Sequence, residues 1–437
     1  MLKITDLRAQ DFDPAEVVPR ALMDVGEAVD AIKPILAQVK EHGESALLKF
    51  AEQFDGVRPA SLRVPQEVMA EAFDNLAPAI KAALKESIRR ARIVHAAQKP
   101  TDSTVELGVG AEVVNRWVPV ERVGLYVPGG KAVYPSSVVM NVVPAQVAGV
   151  ESLAIASPPQ KEFGVWPHPT ILAAAQLLGV DEVYATGGAQ AIAMFAYGAK
   201  NSKGEVVCRK ADLVTGPGNI YVAAAKRALR GLIGIDAEAG PTEVAVLADE
   251  TANAEYVAAD MISQAEHDPM AGSVLVTTSM DFAKAVEQAI TTQAGVTEHR
   301  KRINEALTGE QSGILVVDDL DTAITVVDEY AAEHLQVMTA DAHSVAQRIK
   351  HAGAIFIGDY SPVPLGDYSS GSNHVLPTAG SARYSSGLNV TSFMRCQQLI
   401  YYSENALESI AENIQTLAVS EGLPAHATSI EVRFNKD

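Results

Sequence analysis

The sequence is poor in the features that mark several protein classes. Its 437 residues include only two cysteines, Cys208 and Cys396, too few for a disulfide framework, and this fits a cytoplasmic protein. No run of about 18 uncharged apolar residues is present, so we expect no membrane span. Residues 1–6 become polar too early for a secretory signal. Basic residues are scarce, and the net charge of −19 argues against nucleic-acid binding.

The length of the chain predicts two or three domains. Residues 1–120 are expected to form a mainly helical N-terminal region, and residues 381–437 a C-terminal helix (about 404–418) and tail. Between them, short apolar runs alternate with helical segments. This alternation predicts α/β units with parallel sheets, one at 121–241 and one at 242–380, with a boundary near Gly240. The predicted strands are 123–127, 153–156, 182–185 and 212–214, then 244–247, 274–276, 314–317 and 354–357.

Three glycine-rich segments, 128–130, 187–190 and 216–219, stand where a predicted strand gives way to a helix. In a parallel sheet this is where ligands bind, and glycine lets the backbone approach them closely. Tight turns without a ligand remain an alternative for each segment. Neither G-x-G-x-x-G nor a P-loop pattern is present, so the segments alone do not identify a dinucleotide site.

Polar residues form two clusters in the second α/β unit. Gln264 and His267, three residues apart at the end of a predicted helix, can point in one direction, although surface polarity is the favoured explanation of this spacing alone. Glu333 and His334 interrupt an apolar transition from a helix into a strand. They are candidates for general acid/base chemistry, and a structural ion pair remains an equal alternative.

Further candidates lie in segments that we expect to be irregular. The loop 362–387 contains Asp367 and His374, and the tail contains Glu421 and His426 in an irregular stretch. Carboxylates and imidazoles are common zinc ligands, but no recognised zinc spacing occurs. Composition and spacing therefore indicate an α/β enzyme and leave a metal site open.

Taken in order, these motifs resemble the histidinol dehydrogenase family from Leu2 to Phe434. The segments that carry the resemblance are LYVPGGKAVYPSS (125–137), GGAQAIA (187–193), GPGNIYV (216–222), AGPTEVAVLAD (239–249), SQAEHDPMA (263–271), AAEHLQV (331–337), LGDYSSGSNHVLPT (365–378) and EGLPAHA (421–427). Each is modest alone, but eight in the right order are specific. The resemblance implies two incomplete Rossmann-like domains.

The resemblance also implies roles for residues at matching positions. It implies one zinc ion per subunit, held by Gln264, His267, Asp367 and His426. It implies the acid/base pair Glu333 and His334, and a loop histidine at His374. Substrate contacts are implied for Thr242, Gln264, His267, His334, Asp367, Glu421 and His426. NAD contacts are implied for Tyr126, Gln190 and Asn219.

Members of the family are homodimers, and the resemblance implies that the tail reaches the partner subunit, so that each active site is shared. The chain departs from the family at Thr242, where many relatives have serine, and the hydroxyl is kept. A second departure is the insertion-like segment 201–210, for which we expect a surface loop.

The reaction implied is the NAD-dependent oxidation of L-histidinol through L-histidinal to L-histidine, the last steps of histidine biosynthesis. His334 would take the alcohol proton and Glu333 would activate water, because neither cysteine lies in a family motif. One competing hypothesis is a paralogue that oxidises another small alcohol, such as a sulfonated diol. Another is a zinc hydrolase, which would leave the three glycine-rich segments unexplained.

Overall fold

The structure is a computed structural model that describes residues 2–21, 25–129, 133–238 and 240–434. Gly130, Lys131, Ala132 and Ala239, which belong to motifs named above, lie outside these ranges. The chain divides into two compact units. The first comprises Met1–Gln98 and Glu121–Phe393, and the second comprises Lys99–Val120 and Met394–Asp437. The four-region division expected from the sequence stays a prediction.

In chain order, the strands of the described residues are β1 (Ile4–Asp6), β2 (Ser103–Gly108), β3 (Ala111–Pro119), β4 (Arg122–Tyr126), β5 (Ser152–Ser157), β6 (Val183–Ala185), β7 (Ala199–Lys200), β8 (Val206–Cys208), β9 (Leu213–Thr215), β10 (Gly234–Ile235), β11 (Glu243–Ala248), β12 (Gly272–Thr277), β13 (Gly313–Val316), β14 (His334–Met338), β15 (Ala354–Ile357) and β16 (Met394–Tyr402).

The α-helices of the same ranges are α1 (Pro14–Val17), α2 (Val25–His42), α3 (Glu44–Phe50), α4 (Gln66–Asp74), α5 (Pro78–Gln98), α6 (Pro135–Ala148), α7 (Pro169–Leu177), α8 (Gly188–Tyr197), α9 (Ile220–Leu229), α10 (Ala254–Ala265), α11 (Met280–Ala294), α12 (Arg300–Thr308), α13 (Leu320–Tyr330), α14 (Ala342–Arg348), α15 (Val363–Tyr368), α16 (Glu404–Ser420) and α17 (Pro424–Glu431).

A five-stranded parallel sheet, in the order β10-β9-β4-β5-β6, lies in the first unit. Its strands β4, β5, β6 and β9 confirm the four strands predicted between residues 123 and 214. They are short and buried, as expected of a parallel sheet covered by helices. Helices α2, α8 and α9 pack against one face of this sheet and share an apolar core with it.

A six-stranded parallel sheet, in the order β1-β13-β12-β11-β14-β15, also lies in the first unit. Alternate residues of β11 enter two separate cores, with Val244 and Val246 in one and Ala245 and Leu247 in the other, so both faces are covered. The predicted α/β fold with two parallel sheets is thus confirmed. The edge strand β1 lies in the region that was expected to be helical. The sequence did not predict it because three residues are too few to show a periodicity.

The second unit contains a three-stranded antiparallel sheet, in the order β16-β3-β2, followed in the chain by α16 and α17. The expectation of a mainly helical region up to residue 120 is therefore wrong for β2 and β3. Every residue of β2 is exposed, so the strand has no buried face, and the alternation of apolar and polar residues that predicts a strand is confined to the four residues Thr104–Leu107. The expectation of an irregular stretch at 421–426 is also wrong, because α17 begins at Pro424.

Two predicted loops contain regular structure. The segment 201–210, expected to be a surface loop, follows β7 and contains β8, and these two strands pair as an antiparallel hairpin. The loop 362–387 begins with α15, which Pro362 precedes as N-cap. None of the helices in the described residues is both long and apolar enough to cross a membrane.

Candidate active site

The three glycine-rich segments lie at the carboxyl ends of β4, β6 and β9, on one edge of the five-stranded sheet. Tyr126 is the last residue of β4. Its buried hydroxyl accepts a hydrogen bond of 3.2 Å from the backbone N–H of Gly188, where α8 begins. Burial raises the pKa of Tyr126 to about 12, so the phenol keeps its proton. The end of β4, which precedes the first glycine-rich segment, is thus in direct contact with the second segment.

Helices α8 and α9 both begin at this edge. Gln190 lies buried in the first turn of α8, and Asn219 is the N-cap of α9, where its Oδ1 accepts from Tyr221 N–H at 3.1 Å. Because the amino end of a helix carries partial positive charge and unpaired N–H groups, two such ends favour anionic or polar ligand groups. This edge brings together Tyr126, Gln190 and Asn219, the residues for which the sequence implied NAD contacts.

The acid/base candidates lie at the amino end of the six-stranded sheet, whereas the glycine-rich segments lie at the carboxyl end of the five-stranded sheet. Helix α13 ends at Ala331, whose φ of +48° is uncommon for a residue with a side chain, and the chain then enters β14 at His334. Strands β11 and β14 are neighbours and pair Val244 with His334. The start of β11, with Thr242 just before it, therefore lies beside Glu333.

A chain of hydrogen bonds connects these residues. Gln264 Nε2 donates to Thr242 Oγ1 at 2.6 Å, and this hydroxyl donates to Glu333 Oε2 at 2.5 Å. The backbone N–H of Glu243 donates to the same carboxylate oxygen at 3.0 Å. Both donors reach Oε2, and no described residue donates to Oε1.

The Glu333 carboxyl group has a strongly shifted proton affinity. Burial raises its pKa to about 8, the hydrogen bonds from Thr242 and Glu243 oppose this rise, and the negative charge of Asp367 adds to it. A carboxylate with a pKa near neutrality is a stronger base than an ordinary glutamate. Glu333 can therefore take a proton from water or an alcohol.

His334 is buried beside Glu333, with its Nδ1 3.6 Å from Glu333 Oε2 and 3.3 Å from the carbonyl oxygen of Glu243. Because a carbonyl oxygen only accepts, Nδ1 carries the hydrogen and Nε2 keeps its lone pair. Burial lowers the pKa of His334, an effect that the charge of Asp367 opposes. The neutral imidazole is the form that can accept a proton.

Asp367 and His374 connect this edge to the five-stranded sheet. His374 Nδ1 donates to the backbone carbonyl of Asp367 at 3.3 Å, so Nε2 accepts from Ser137 Oγ at 3.1 Å. Ser137 lies in the first turn of α6, which follows β4, and Asn373 Nδ2 donates to Met140 O in the same helix. The carboxyl edge of one sheet and the amino edge of the other therefore approach each other around His374.

The proposed metal ligands of the first unit are Gln264, His267 and Asp367. Gln264 lies in the last turn of α10. Its Oε1 is buried and has no hydrogen-bond partner, which leaves this carbonyl oxygen available to bind a cation. His267 follows at the exposed end of this helix, and Asp367 is half-buried. Across the described residues, no three His, Cys, Asp or Glu side chains are grouped closely enough to hold a metal ion. These residues fit a metal only if another ligand completes the set.

The remaining sequence-predicted residues belong to the second unit. Glu421 is the C-cap of α16, and His426 lies in the first turn of α17. Both are exposed. Neither side chain has a hydrogen bond to a described residue of its own unit.

Comparisons with known proteins decide the family. The family model described as histidinol dehydrogenase matches residues 18–434. The chain is 60% identical over 432 residues to histidinol dehydrogenase of Thermobifida fusca, covering 99% of this chain and 97% of that protein. It is 58% identical to the enzyme of Nocardia farcinica, covering 98% and 97%. The chain belongs to the histidinol dehydrogenase family.

A solved structure supports the same family at the level of the fold. The crystal structure of histidinol dehydrogenase from Elizabethkingia anophelis matches with a TM-score of 0.92 and 30% identity, covering 99% of this chain and 98% of that one. The chain is therefore an oxidoreductase with the histidinol dehydrogenase fold.

Sequence analysis missed two contributions to this histidinol dehydrogenase site. Glu243 contributes through its backbone, which contacts both Glu333 and His334, and Ser137 contributes through its contact with His374. An acidic residue opening an otherwise apolar strand was a signal for Glu243. Ser137 ends the first family motif, but nothing in that motif indicated its contact with His374, which lies 237 residues later.

Proposed function

We propose that this enzyme oxidises L-histidinol through L-histidinal to L-histidine, using two NAD molecules and one zinc ion per subunit. The observation that carries the proposal is the buried Thr242–Glu333–His334 arrangement in a chain of this family. It supplies two bases of different kinds, a neutral imidazole and a carboxylate of raised pKa. Two consecutive oxidations need two proton acceptors.

We assign NAD to the carboxyl edge of the five-stranded sheet, with contacts from Tyr126, Gln190 and Asn219. The geometry of Gly188 supports this assignment, since a Cβ there would lie 2.9 Å from Gln190 Oε1 and its φ is +62°. Glycine leaves space for a flat ligand at a helix start. Bound NAD would accept the hydride from the carbon that is oxidised.

We assign zinc to Gln264, His267, Asp367 and His426 of the partner subunit. The unpartnered Gln264 Oε1 and the absence of a complete ligand group within the described residues support an incomplete site that another chain completes. Bound zinc would hold the imidazole and amino nitrogens of the substrate and fix its orientation. His374 positions Asp367 through its hydrogen bond to the Asp367 backbone.

In the first oxidation, His334 Nε2 takes the proton of the substrate hydroxyl. Its tautomer is held by the hydrogen bond from Nδ1 to Glu243 O, so the lone pair is directed away from the strand. Burial keeps the imidazole neutral before the reaction. The alcohol loses this proton and its hydride, which leaves the aldehyde.

In the second oxidation, Glu333 takes a proton from water, and the water oxygen bonds to the aldehyde carbon. Because that proton stays on Glu333, the intermediate is the anion of the hydrate, which would give the second hydride to NAD and become the carboxylic acid. A cysteine adduct is not required. Neither cysteine lies in a motif of the family, and Cys208 lies buried beside Arg122 at the amino end of β4, where burial raises the pKa of its thiol to about 11.

We propose that the enzyme is a homodimer with shared sites, in which Glu421 of the partner subunit pairs with a cationic group of the substrate. Glu333→Ala and His426→Ala chains, unfolded together and refolded with zinc, test this. Half of the dimers should be mixed, and each mixed dimer should hold one intact site, so about a quarter of wild-type activity should return. Mixed dimers identified by mass spectrometry but without activity would contradict sharing.

NADH formation with limiting L-histidinol tests the proposed function. We expect two NADH and one L-histidine per histidinol, and negligible NADH with a sulfonated diol. Turnover of the diol in preference to histidinol would favour the paralogue, and histidinol consumption without NADH would overturn the assignment. The cytoplasmic location inferred from the two cysteines stays a prediction.

A further inference from the structure

A buried ion pair lies directly behind the proposed NAD edge. Lys226 of α9 and Asp236, which follows β10, bring Nζ and Oδ1 to 2.6 Å, with side chains only 3% and 5% exposed. Removing two charges from water costs several kcal/mol per ion, and apolar residues of similar volume often stabilise a fold equally well. Stability alone therefore does not explain this pair.

Both members of the pair bind the same backbone residue. Lys226 Nζ donates to the carbonyl oxygen of Gly216 at 2.5 Å, and the N–H of Gly216 donates to Asp236 Oδ2 at 2.8 Å. Gly216 is the first residue of the third glycine-rich segment. The ion pair thus holds this residue through both of its backbone polar groups.

Gly216 is also fixed against the first glycine-rich strand end. Its φ is +116°, and a Cβ at this position would lie 2.0 Å from the carbonyl oxygen of Tyr126. The hydroxyl of Tyr126 in turn accepts from Gly188. A shift of Gly216 would therefore reach Tyr126 at the end of β4 and, through its hydroxyl, Gly188 in the second segment.

We propose that Lys226 and Asp236 are positioning residues that set the NAD-binding edge by clamping the Gly216 peptide. The inference rests on the proposed assignment of NAD to this edge. The clamp fixes the start of the segment that ends in Asn219, and Lys226 lies in the helix that Asn219 caps. Its loss should weaken NAD binding and leave the amino edge of the six-stranded sheet, and hence histidinol binding, unaffected.

The test uses the double variant Lys226→Met with Asp236→Leu, which removes the clamp without leaving a buried charge unpaired. Arg227→Met with Glu238→Leu is the matched control, because this neighbouring pair at 3.2 Å also involves α9 but is more exposed and has no hydrogen bond to Gly216. Equilibrium Kd values for NAD and for histidinol are measured on the zinc-loaded protein, with circular dichroism and Tm as checks of folding.

We expect the Kd for NAD to rise about tenfold or more in the clamp variant, equivalent to about 1.4 kcal/mol, with the Kd for histidinol unchanged. An unchanged Kd for NAD, or equal weakening of both ligands, would overturn the inference. So would the same loss of NAD affinity in the control. If the double variant does not fold, Lys226→Met with Asp236→Asn, which removes both charges and the Lys226 contact with Gly216 but keeps the shape of the Asp236 side chain, decides by the same measurements. Wild-type protein that does not bind NAD would overturn the proposed function instead.

Discussion

The two parallel sheets of the first unit present opposite edges to the proposed site, and the two edges are built differently. The carboxyl edge of the five-stranded sheet consists largely of glycines and helix starts, with Tyr126, Gln190 and Asn219 among its polar side chains. The amino edge of the six-stranded sheet carries buried acidic and imidazole groups whose pKa values are shifted. The glycine-rich edge leaves space for a bound molecule, and the amino edge of the six-stranded sheet brings together groups that can accept protons.

This difference teaches that the position of a site relative to strand direction does not by itself identify its chemistry. Ligands of parallel sheets are usually bound at carboxyl ends, and the glycine-rich edge follows that rule. Glu333 and His334 depart from it, because they precede and begin β14. Their environment comes from the neighbouring strand β11, which supplies Thr242 and the backbone of Glu243.

Metal removal should give the largest effect, and it should separate the two edges. The proposed ligands lie in helix ends and loops, so strong chelation should abolish turnover with little change in far-UV circular dichroism, and zinc should restore it. Because no proposed ligand lies at the glycine-rich edge, the Kd for NAD should stay the same. Full activity in protein shown to be metal-free would contradict the zinc site.

Glu333→Gln should slow oxidation of L-histidinal far more than oxidation of L-histidinol. Loss of a positioned acid/base group typically lowers a rate by about 10²–10⁴. Single-turnover NADH bursts with each substrate measure the two steps. Glu329→Gln, a change at a half-buried carboxylate that pairs with Arg383 near the end of α13, is the control. Equal impairment of both steps would mean that Glu333 only positions His334.

Thr242→Val should lower the rate of aldehyde oxidation less than Glu333→Gln does, and it should shift the pH dependence of that rate. The hydroxyl favours the charged form of Glu333, so its loss raises the pKa of Glu333 further. Because the carboxylate is the active base, the rise of the aldehyde-oxidation rate with pH should move to higher pH. Loss of this hydrogen bond should cost about 1–3 kcal/mol, or roughly 5- to 150-fold at neutral pH. Thr242→Ser keeps the hydroxyl, and a pH profile shifted equally in both variants would contradict this explanation.

Replacement of the cysteines should have the smallest effect. Cys396→Ala should leave both oxidation rates unchanged, and Cys208→Ala should alter stability rather than rate, because its thiol lies at the far edge of the five-stranded sheet. Rates with histidinol and histidinal, compared with Tm, measure this. A histidinal-specific loss in either variant would indicate a covalent thiol intermediate.

Sequence alone predicted the parts of the fold whose signal is local. The eight strands predicted in the two α/β units are apolar runs, all buried or half-buried, and the three glycine-rich segments mark strand ends that one edge of a parallel sheet brings together. The antiparallel sheet was missed because β16 pairs with β3 across more than 270 residues and is exposed along most of its length. Neither local periodicity nor spacing indicates such a pairing.

The sequence predicted which residues belong to the site, but it did not predict which of them contact one another. Ordered motifs indicated Glu333, His334 and Gln264, but the hydrogen bond from Thr242 to Glu333 depends on β11 lying next to β14, which is three strands later in the chain. The backbone role of Glu243 depends on the same adjacency. Sheet order is a tertiary property, and no single segment encodes it.

The central proposal is that NAD binds at the glycine-rich edge and histidinol at the acid/base edge. It is tested most directly by making one substitution at each edge. Gln190 and Gln264 are both buried glutamines in helices, at the glycine-rich edge and at the acid/base edge respectively. We predict that Gln190→Leu raises the Kd for NAD with no change for histidinol, and that Gln264→Leu raises the Kd for histidinol with no change for NAD. Folded variants in which both substitutions weaken the same ligand, or in which each weakens both ligands equally, would contradict the account.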